Sequence, residues 1–560
     1  MKQSEELREL LHSIHRKSYP AYKGLKGIYD FRTYRLSIDH VQGDPFASPS
    51  SVSVRIWRDR AGFPDTYLKE DFQRTALADF LTRQFSAAIS RFNFRAKGSG
   101  KSGLLSTSSC SQEILKRTSL SITEKEFIAR FEAGFPANGR TINAPELEKI
   151  FFDFLPKAVS QSFFYRNLKA EEVRQVIELS EDQNFIRKEL PRLGLIAFVA
   201  DGSILPRESG ISQKPMKGSV PFISPESLRV ELTLPHHGKI TGLGIRKGIT
   251  LIVGGGYHGK STLLSALERG VYNHIAGDGR EYVITDPTAV KLRSEDGRLI
   301  REVDISLFIN DLPNKKDTHR FSTPDASGST SQAAGIVESM ETGSQVFLLD
   351  EDTSATNFMV RDSFMQSVIH REKEPITPFL ERARDLYEKC GISTVLVAGS
   401  SGAFFHIADT VIQMDAYRPM DITEKVKAML EEYPLKKTDM PEFVMPEFKR
   451  ELFFKKAGEN DRIKTRVRGK DGFQVGKEAL DLRYVEQIVD VEQTAALAAM
   501  LRYTMEHING SKRISEIVEM LEKEISSGGL EAVVGGDCVR CGLAMPRKQE
   551  IFACLNRYRG

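Results

Sequence analysis

The chain has 560 residues, too many for a single hydrophobic core, and its length suggests roughly three or four domains. With 79 Lys and Arg against 76 Asp and Glu the net charge is +3, so a surface for a polyanion must be local rather than spread over the molecule. No stretch approaches the ~18 uncharged apolar residues of a membrane span, and Met1-Lys2-Gln3-Ser4-Glu5-Glu6 lacks an apolar signal core, so the expectation is a cytoplasmic protein with reduced thiols and no membrane insertion.

Glu5 to His15 carries Leu7, Leu10, Leu11 and Ile14 at helical spacing. Tyr29 to Ile38 and Ser51 to Trp57 read as strands separated by a Gly43-Asp44-Pro45 turn. Here Arg32, Tyr34, Arg35, Arg55, Trp57, Arg58 and Arg60 interleave basic and aromatic side chains. The mix suits phosphate contact with base stacking, and equally a solvated sheet face over ordinary core aromatics. Gly98-Ser99-Gly100-Lys101-Ser102-Gly103 contains GKS, but Arg95 stands where a phosphate loop has its leading glycine and no apolar strand precedes it. It reads as a flexible basic loop that could still cradle an anion. Residues 161–190 read as helical, Leu193 to Ala200 as a short apolar strand, Pro206 to Pro225 as a long loop and Arg229 to Leu234 as a strand.

The apolar run Ile249-Thr250-Leu251-Ile252-Val253 leads into Gly254-Gly255-Gly256-Tyr257-His258-Gly259-Lys260-Ser261-Thr262, which fits G-x-x-x-x-G-K-[ST]. Its glycines let backbone N–H groups approach a polyphosphate, Lys260 can reach the β- and γ-phosphates, and Ser261 offers a hydroxyl to Mg²⁺. The helix that follows points its positive end at the anion. Val346-Phe347-Leu348-Leu349-Asp350-Glu351 is a buried strand ending in two acids, a Walker B pattern. Asp350 would hold the magnesium shell and Glu351 would orient or deprotonate the attacking water.

Between the two Walker motifs lies Asp325-Ala326-Ser327-Gly328-Ser329-Thr330-Ser331-Gln332, ahead of a helix-like stretch. It resembles the LSGGQ signature of ABC-class ATPases, with Ser327 and Gly328 matching its core and Ser329 and Thr330 departing from it. Asp352 to Asn357 occupies the D-loop position, and a helix is expected near Val360 to His370. After the apolar strand Ser393 to Ala398, where ABC ATPases carry a switch histidine, the chain reads Gly399-Ser400-Ser401-Gly402. His406 is too far along for that role, and Ser400 or Ser401 could contact phosphate instead or be plain turn hydroxyls. Phe308 to Leu312 stands at the glutamine-loop position without a clear match, Asn310 and Asp311 being its possible magnesium-facing residues. His236 and His237 are the possible base stackers. Farther on, Ile463 to Arg468 alternates as a strand, and Val485 to Tyr503 and Ile514 to Ile525 read as helices. Cys538 and Cys541 have metal-ligand spacing but no second ligand pair.

These blocks, with Asp201-Gly202-Ser203-Ile204-Leu205-Pro206-Arg207 and Ala544-Met545-Pro546-Arg547, resemble the bacterial and organellar "predicted ATPase of the ABC class" family. The resemblance implies an α/β P-loop core of ABC type flanked by an α+β N-terminal domain and a small α+β C-terminal domain. The expected boundaries are 1–160, 161–425 and 426–560. It further implies ATP and Mg²⁺ as cofactors, a head-to-tail homodimer around a basic opening, and an RNA connection. The expected catalytic residues are Glu351 and Lys260. Nucleotide is expected on Gly254 to Thr262 with Ser327, Gly328 and Ser329, and metal on Ser261 and Asp350. Arg55, Arg58 and Lys101 are the expected nucleic-acid contacts. Two other readings stay open: the energy subunit of a membrane transporter, and a nucleotide-dependent scaffold with little turnover. ATP and GTP are not separated, because no base-reading residue is identified.

Overall fold

Period-two alternation along Arg35–His40, Ser50–Trp57 and Glu126–Ala133 builds a sheet with one apolar and one polar face, both largely buried, in the computed structural model, which describes residues 1–361, 374–433, 442–454, 463–534 and 538–560. The chain divides into two units, Met1–Glu181 with Glu524–Met545, and Asp182–Lys523 with Pro546–Gly560. The expected C-terminal stretch 426–560 is therefore shared between them.

In the first unit, α1 (Ser4–Ile14) buries Leu7 and Leu11. Strands β1 (Gly27–Asp30), β2 (Arg35–His40), β3 (Ser50–Trp57) and β4 (Glu126–Ala133) are consecutive in an antiparallel arrangement. The stretch read as one strand from Tyr29 to Ile38 is a hairpin, turned at Phe31–Tyr34 with Arg32 at φ 66°. Leu36, Val54 and Ala129 lie in register, as do Ile38, Val52 and Phe131, and this apolar face joins a core with Leu77, Leu81 and Phe85 of the helix Asp71–Ser90. The opposite face carries Arg35, Asp39, Ser53, Arg55, Glu126 and Arg130. Asp39 accepts from the Ser37 hydroxyl at 2.6 Å and the Ser53 hydroxyl at 2.8 Å, and Arg130 donates to the Thr118 carbonyl at 2.7 Å. The Gly98–Gly103 segment, expected to be flexible, is a tightly packed turn. A Cβ on Gly103, at φ 78°, would lie 2.1 Å from the Ala96 carbonyl oxygen.

The second unit opens with β5 (Leu195–Ala200), β6 (Arg229–Leu234) and β7 (Gly238–Arg246), which with Val283–Thr285 form an antiparallel sheet. Within the expected loop Pro206 to Pro225, Arg207–Ser209 pairs with Ser212–Pro215. Next come β8 (Ile249–Val253), α2 (Lys260–Arg269), β9 (Val290–Leu292), β10 (Phe321–Ala326), α3 (Gly328–Glu341), β11 (Val346–Asp350), β12 (Ser393–Val397), β13 (Thr410–Asp415) and β14 (Arg418–Asp421). Six of these strands form one sheet in the order β9-β11-β12-β8-β13-β14, parallel throughout except at β13/β14. Strands β11 and β12 are buried along their whole length, which explains their unbroken apolar runs. Of the helix expected near Val360 to His370, residues 362–370 lie outside the described residues.

Beyond the sheet, Thr465–Val467, Gly472–Val475 and Glu478–Asp481 make a three-stranded antiparallel sheet. The helix expected from Val485 begins at Val491, where the Asp490 carboxylate caps it by accepting from the Glu492 N–H at 2.9 Å. The helix expected from Ile514 runs to Gly528.

Candidate functional site

Register decides what meets at the carboxyl edge of the parallel sheet. Asp350 pairs with Val397, and Val397 in turn with Ile252, so the chain leaves β8, β11 and β12 side by side at one edge. That edge is where open α/β sheets bind ligands. The residues leaving it are Gly254–Gly259, Glu351 and Gly399–Ser401.

The glycine loop is shaped from behind by the β13/β14 hairpin. Gly254 sits at φ 142°, and a Cβ there would lie 2.4 Å from the Met414 carbonyl oxygen. The hairpin turns through Ala416 at φ 44° and Tyr417 at φ 66°, a left-handed conformation costing of order 1–3 kcal/mol per residue. Tyr417 donates its N–H to the His258 carbonyl at 3.0 Å, Ala416 donates to His258 Nδ1 at 3.0 Å, and Asp415 stands 2.9 Å from the same nitrogen. The loop itself carries Tyr257 at φ 63° and fully exposed. Gly259, at φ 97°, caps α2. Lys260 Nζ donates to the carbonyls of Gly254 at 2.6 Å and Gly255 at 2.8 Å, which holds the ammonium over the loop. Ser261 is exposed and Thr262 half-buried on the first turn of α2.

Asp350 is buried at the end of β11 and accepts from the Asp352 N–H at 3.2 Å. Burial pushes its carboxyl up, while Lys291 on the neighbouring strand pulls the other way. A divalent cation is the partner that would favour the ionised form, and one buried carboxylate plus an exposed serine hydroxyl suits Mg²⁺, which takes its remaining ligands from water and phosphate. Glu351 differs. Its Oε2 accepts from the Gly399 N–H at 2.7 Å and the Ser400 N–H at 2.9 Å, and its Oε1 accepts from the Ser400 hydroxyl. Partial burial opposes ionisation, but these bonds outweigh it and hold the carboxyl below the usual carboxylate range.

The signature-like stretch forms the start of a helix, as its position requires. Ser327 is the N-cap of α3 and its hydroxyl lies 2.9 Å from that of Thr330. Ser327 is exposed, Gly328 half-buried and Ser329 buried. Gln332, fully buried one turn on, donates to the Ser354 hydroxyl at 2.9 Å and accepts from the Ala355 N–H at 2.9 Å. Ser354 in turn donates to the Asp350 carbonyl at 2.9 Å. Thus Gln332 ties the helix start to the Walker B strand through the D-loop segment, a link the motif alone did not reveal.

Other expected residues stand elsewhere. The Asn310 amide donates to the Ser306 carbonyl at 2.6 Å, a local turn contact. The backbone N–H groups of His236 and His237 bind the Asp182 carboxylate, and the His237 ring packs at 5.5 Å from Tyr282. The Ser401 hydroxyl accepts from the Ala403 N–H and caps the short helix holding His406, and it is the Ser400 hydroxyl that meets Glu351. Arg55 pairs with Glu126 at 3.0 Å and Arg58 with Asp65 at 2.7 Å. Lys101 is not beside them. Trp57 is opposite Glu126 and Ser50 opposite Ala133, so the Gly98–Gly103 turn at Gly134 sits at the far end of β3 and β4, roughly 20 Å away. Arg207 pairs with buried Asp278 at 2.8 Å, and Arg547 with Glu550 at 2.6 Å, so these two family-like stretches anchor the fold. All five cysteines are thiols, and among the described residues no group of three or more His, Cys, Asp or Glu is placed to hold a metal ion. No helix among the described residues is long and apolar enough to cross a membrane.

Comparison with known proteins matches three stretches of the chain. Residues 169–450, half the chain, match the P-loop domain of the ABC-class ATPase family, residues 4–166 match the N-terminal region of ATPases of the ABC class, and residues 464–560 match the MRB1590 C-terminal domain. An uncharacterized protein of Methanocaldococcus jannaschii, MJ1628, is 32% identical over 244 residues, which are 42% of this chain and 52% of that protein. The chain thus spans about half the length of this curated relative. Similar solved structures include the ADP conformation of MJ1267, an ATP-binding cassette of an ABC transporter (15% identity, 34% of this chain and 88% of that one, TM-score 0.23). Another is cbiO1 from Clostridium perfringens, part of the ABC transporter complex cbiONQ (14% identity, 43% and 93%, TM-score 0.25). A glycine loop braced by a hairpin, paired acids ending the adjacent strands' common edge, a serine-capped helix tied to them and the match over half the sequence lead to one conclusion: the chain belongs to the ABC-class P-loop ATPase family.

Proposed function

We propose that the protein hydrolyses ATP, with water attacking the γ-phosphorus in line and ADP and phosphate leaving. The observation that carries this reading is the convergence of Lys260, Asp350 and Glu351 on one edge of one sheet. Lys260 would neutralise the β- and γ-phosphate oxygens while the N–H groups of Gly256 to Gly259 cradle them. Ser261 and Asp350 would hold Mg²⁺, which when bound supplies positive charge to the phosphate oxygens. Glu351 would orient the attacking water and take its proton. Ser327 and the N–H groups of Gly328 and Ser329 would complete the site of a second copy, head to tail, since they cap a helix whose tip is open to solvent. Thiols at all five cysteines fit a reducing, cytoplasmic setting.

Glu351→Gln is expected to lower phosphate release by about 10²–10⁴-fold while ATP still binds. Equal release from both proteins would return the scaffold reading to first place. Lys260→Ala should abolish ATP binding itself, measured by equilibrium titration.

We further propose RNA as the coupled partner, on the support of the basic and aromatic side chains around the Trp57 end of β3 in the first unit. There Arg35 stacks at 4.2 Å over the 41%-exposed Trp57, and Arg32 and Arg60 are exposed nearby. The pairing of Arg55 and Arg58 with acids tempers their contribution. Single-stranded RNA affinity should fall steeply with salt, and replacing Arg55, Arg58 and Lys101 together should flatten that slope. An unchanged slope removes these three positions from the interface. Co-purification with an integral membrane protein would favour the transporter reading instead.

A further inference from the structure

The loop after β12 does something its sequence did not announce. ABC-class ATPases place a histidine there, whereas this chain has Gly399-Ser400-Ser401-Gly402. The two serines are not equivalent. The Ser401 hydroxyl is spent as a cap on the Ala403 N–H. The Ser400 hydroxyl is directed at Glu351 Oε1, while the Gly399 and Ser400 N–H groups close on Oε2 at 2.7 and 2.9 Å. Both carboxylate oxygens are therefore held by one three-residue loop, and a bidentate grip fixes the plane of the carboxylate as well as its place. The strand register brings the partners together: with Asp350 opposite Val397, the residue after the first and the loop after the second are neighbours.

We propose that Ser400 is the positioning residue for Glu351, aiming the carboxylate at the attacking water. The inference rests on Glu351 being the general base. Ser400 acts through Glu351 and takes no proton itself. Its hydroxyl donates to Oε1, the oxygen not bound by the Gly399 and Ser400 N–H groups. A threonine at 400 would keep the hydroxyl, and an alanine would keep both backbone donors while removing the side-chain one.

The test compares Ser400→Ala, Ser400→Thr, Glu351→Gln, Glu351→Ala and the double variant Ser400→Ala/Glu351→Gln in the full chain. Steady-state phosphate release is read beside equilibrium binding of ATP and hydrogen exchange of the segment 398–402. Expected is a roughly tenfold or greater fall in kcat for Ser400→Ala with KM and ATP affinity unchanged. Ser400→Thr should recover to within about threefold of the wild type, and Ser400→Ala should add nothing in the Glu351→Gln background, because the partner it positions is gone. Hydrogen exchange should quicken in the segment when Glu351 is replaced by Ala, since its amides lose their acceptor. The proposal is overturned if Ser400→Ala turns over at the wild-type rate or faster, if Thr fails to rescue, or if the losses in the double variant multiply. Should Glu351→Gln itself turn over normally, the base assignment fails, and the single-variant arm reports that separately. If Ser400→Ala does not fold, the Thr variant and the exchange of the Glu351→Ala protein still decide.

Discussion

Two acids one residue apart are treated in opposite ways. Asp350 is buried with its carboxyl pushed up, while Glu351 lies in a cradle of donors that holds its carboxyl down. A third acid shows how the same forces act on stability. Asp278 is fully buried, which opposes its charge, but His274 at 2.8 Å, then Arg207 and Arg280, outweigh that and hold it below the usual range. A carboxyl with a depressed folded pKa stabilises the native state above its unfolded value of about 3.9, and loses that contribution as pH falls through the folded value. Asp278→Asn should therefore lower the urea midpoint at neutral pH, with the gap from the wild type shrinking below about pH 4. A gap that widened on acidification would contradict the assignment.

At the scale of elements, helix α3 is held at both ends. Its start is tied to the D-loop segment by Gln332. Near its end, Glu338 and Glu341 are buried with Arg298 and Arg450, and Arg450 also donates to Asn556 at 3.0 Å. Burial pushes the Glu341 carboxyl up, and Arg450 counters it. Removing one partner from such a network leaves a buried charge without compensation. Arg450→Ala is expected to cost about 3–5 kcal/mol in chemical denaturation, and adding Glu341→Ala should restore part of it. If the single substitution proves neutral, the network is not what fixes this end of the helix.

For the whole molecule, the glycine loop and the serine-capped helix lie on one chain, and the proposed site needs each to face the other on a second copy. ATP with Glu351→Gln protein should then shift the mass in solution from one chain to two, read by light scattering, and Ser327→Arg should block the shift. A monomer under saturating ATP would leave the composite site without support.

Residues close in sequence carried most of what could be read directly. The loop Gly254 to Thr262 needs only a strand, glycines at left-handed φ and a helix start, all of which follow from local composition. The paired acids at 350 and 351 follow from an apolar run with a charged end. What the sequence left open were encounters between segments far apart: the hairpin at Asp415–Arg418 behind the loop, Gln332 on Ser354, and Ser400 rather than His406 on Glu351. None of these has a periodic or local signal, because each depends on strand order and register. A parallel sheet joins strands separated by scores of residues, so only its assembly decides which loops become neighbours at the shared edge.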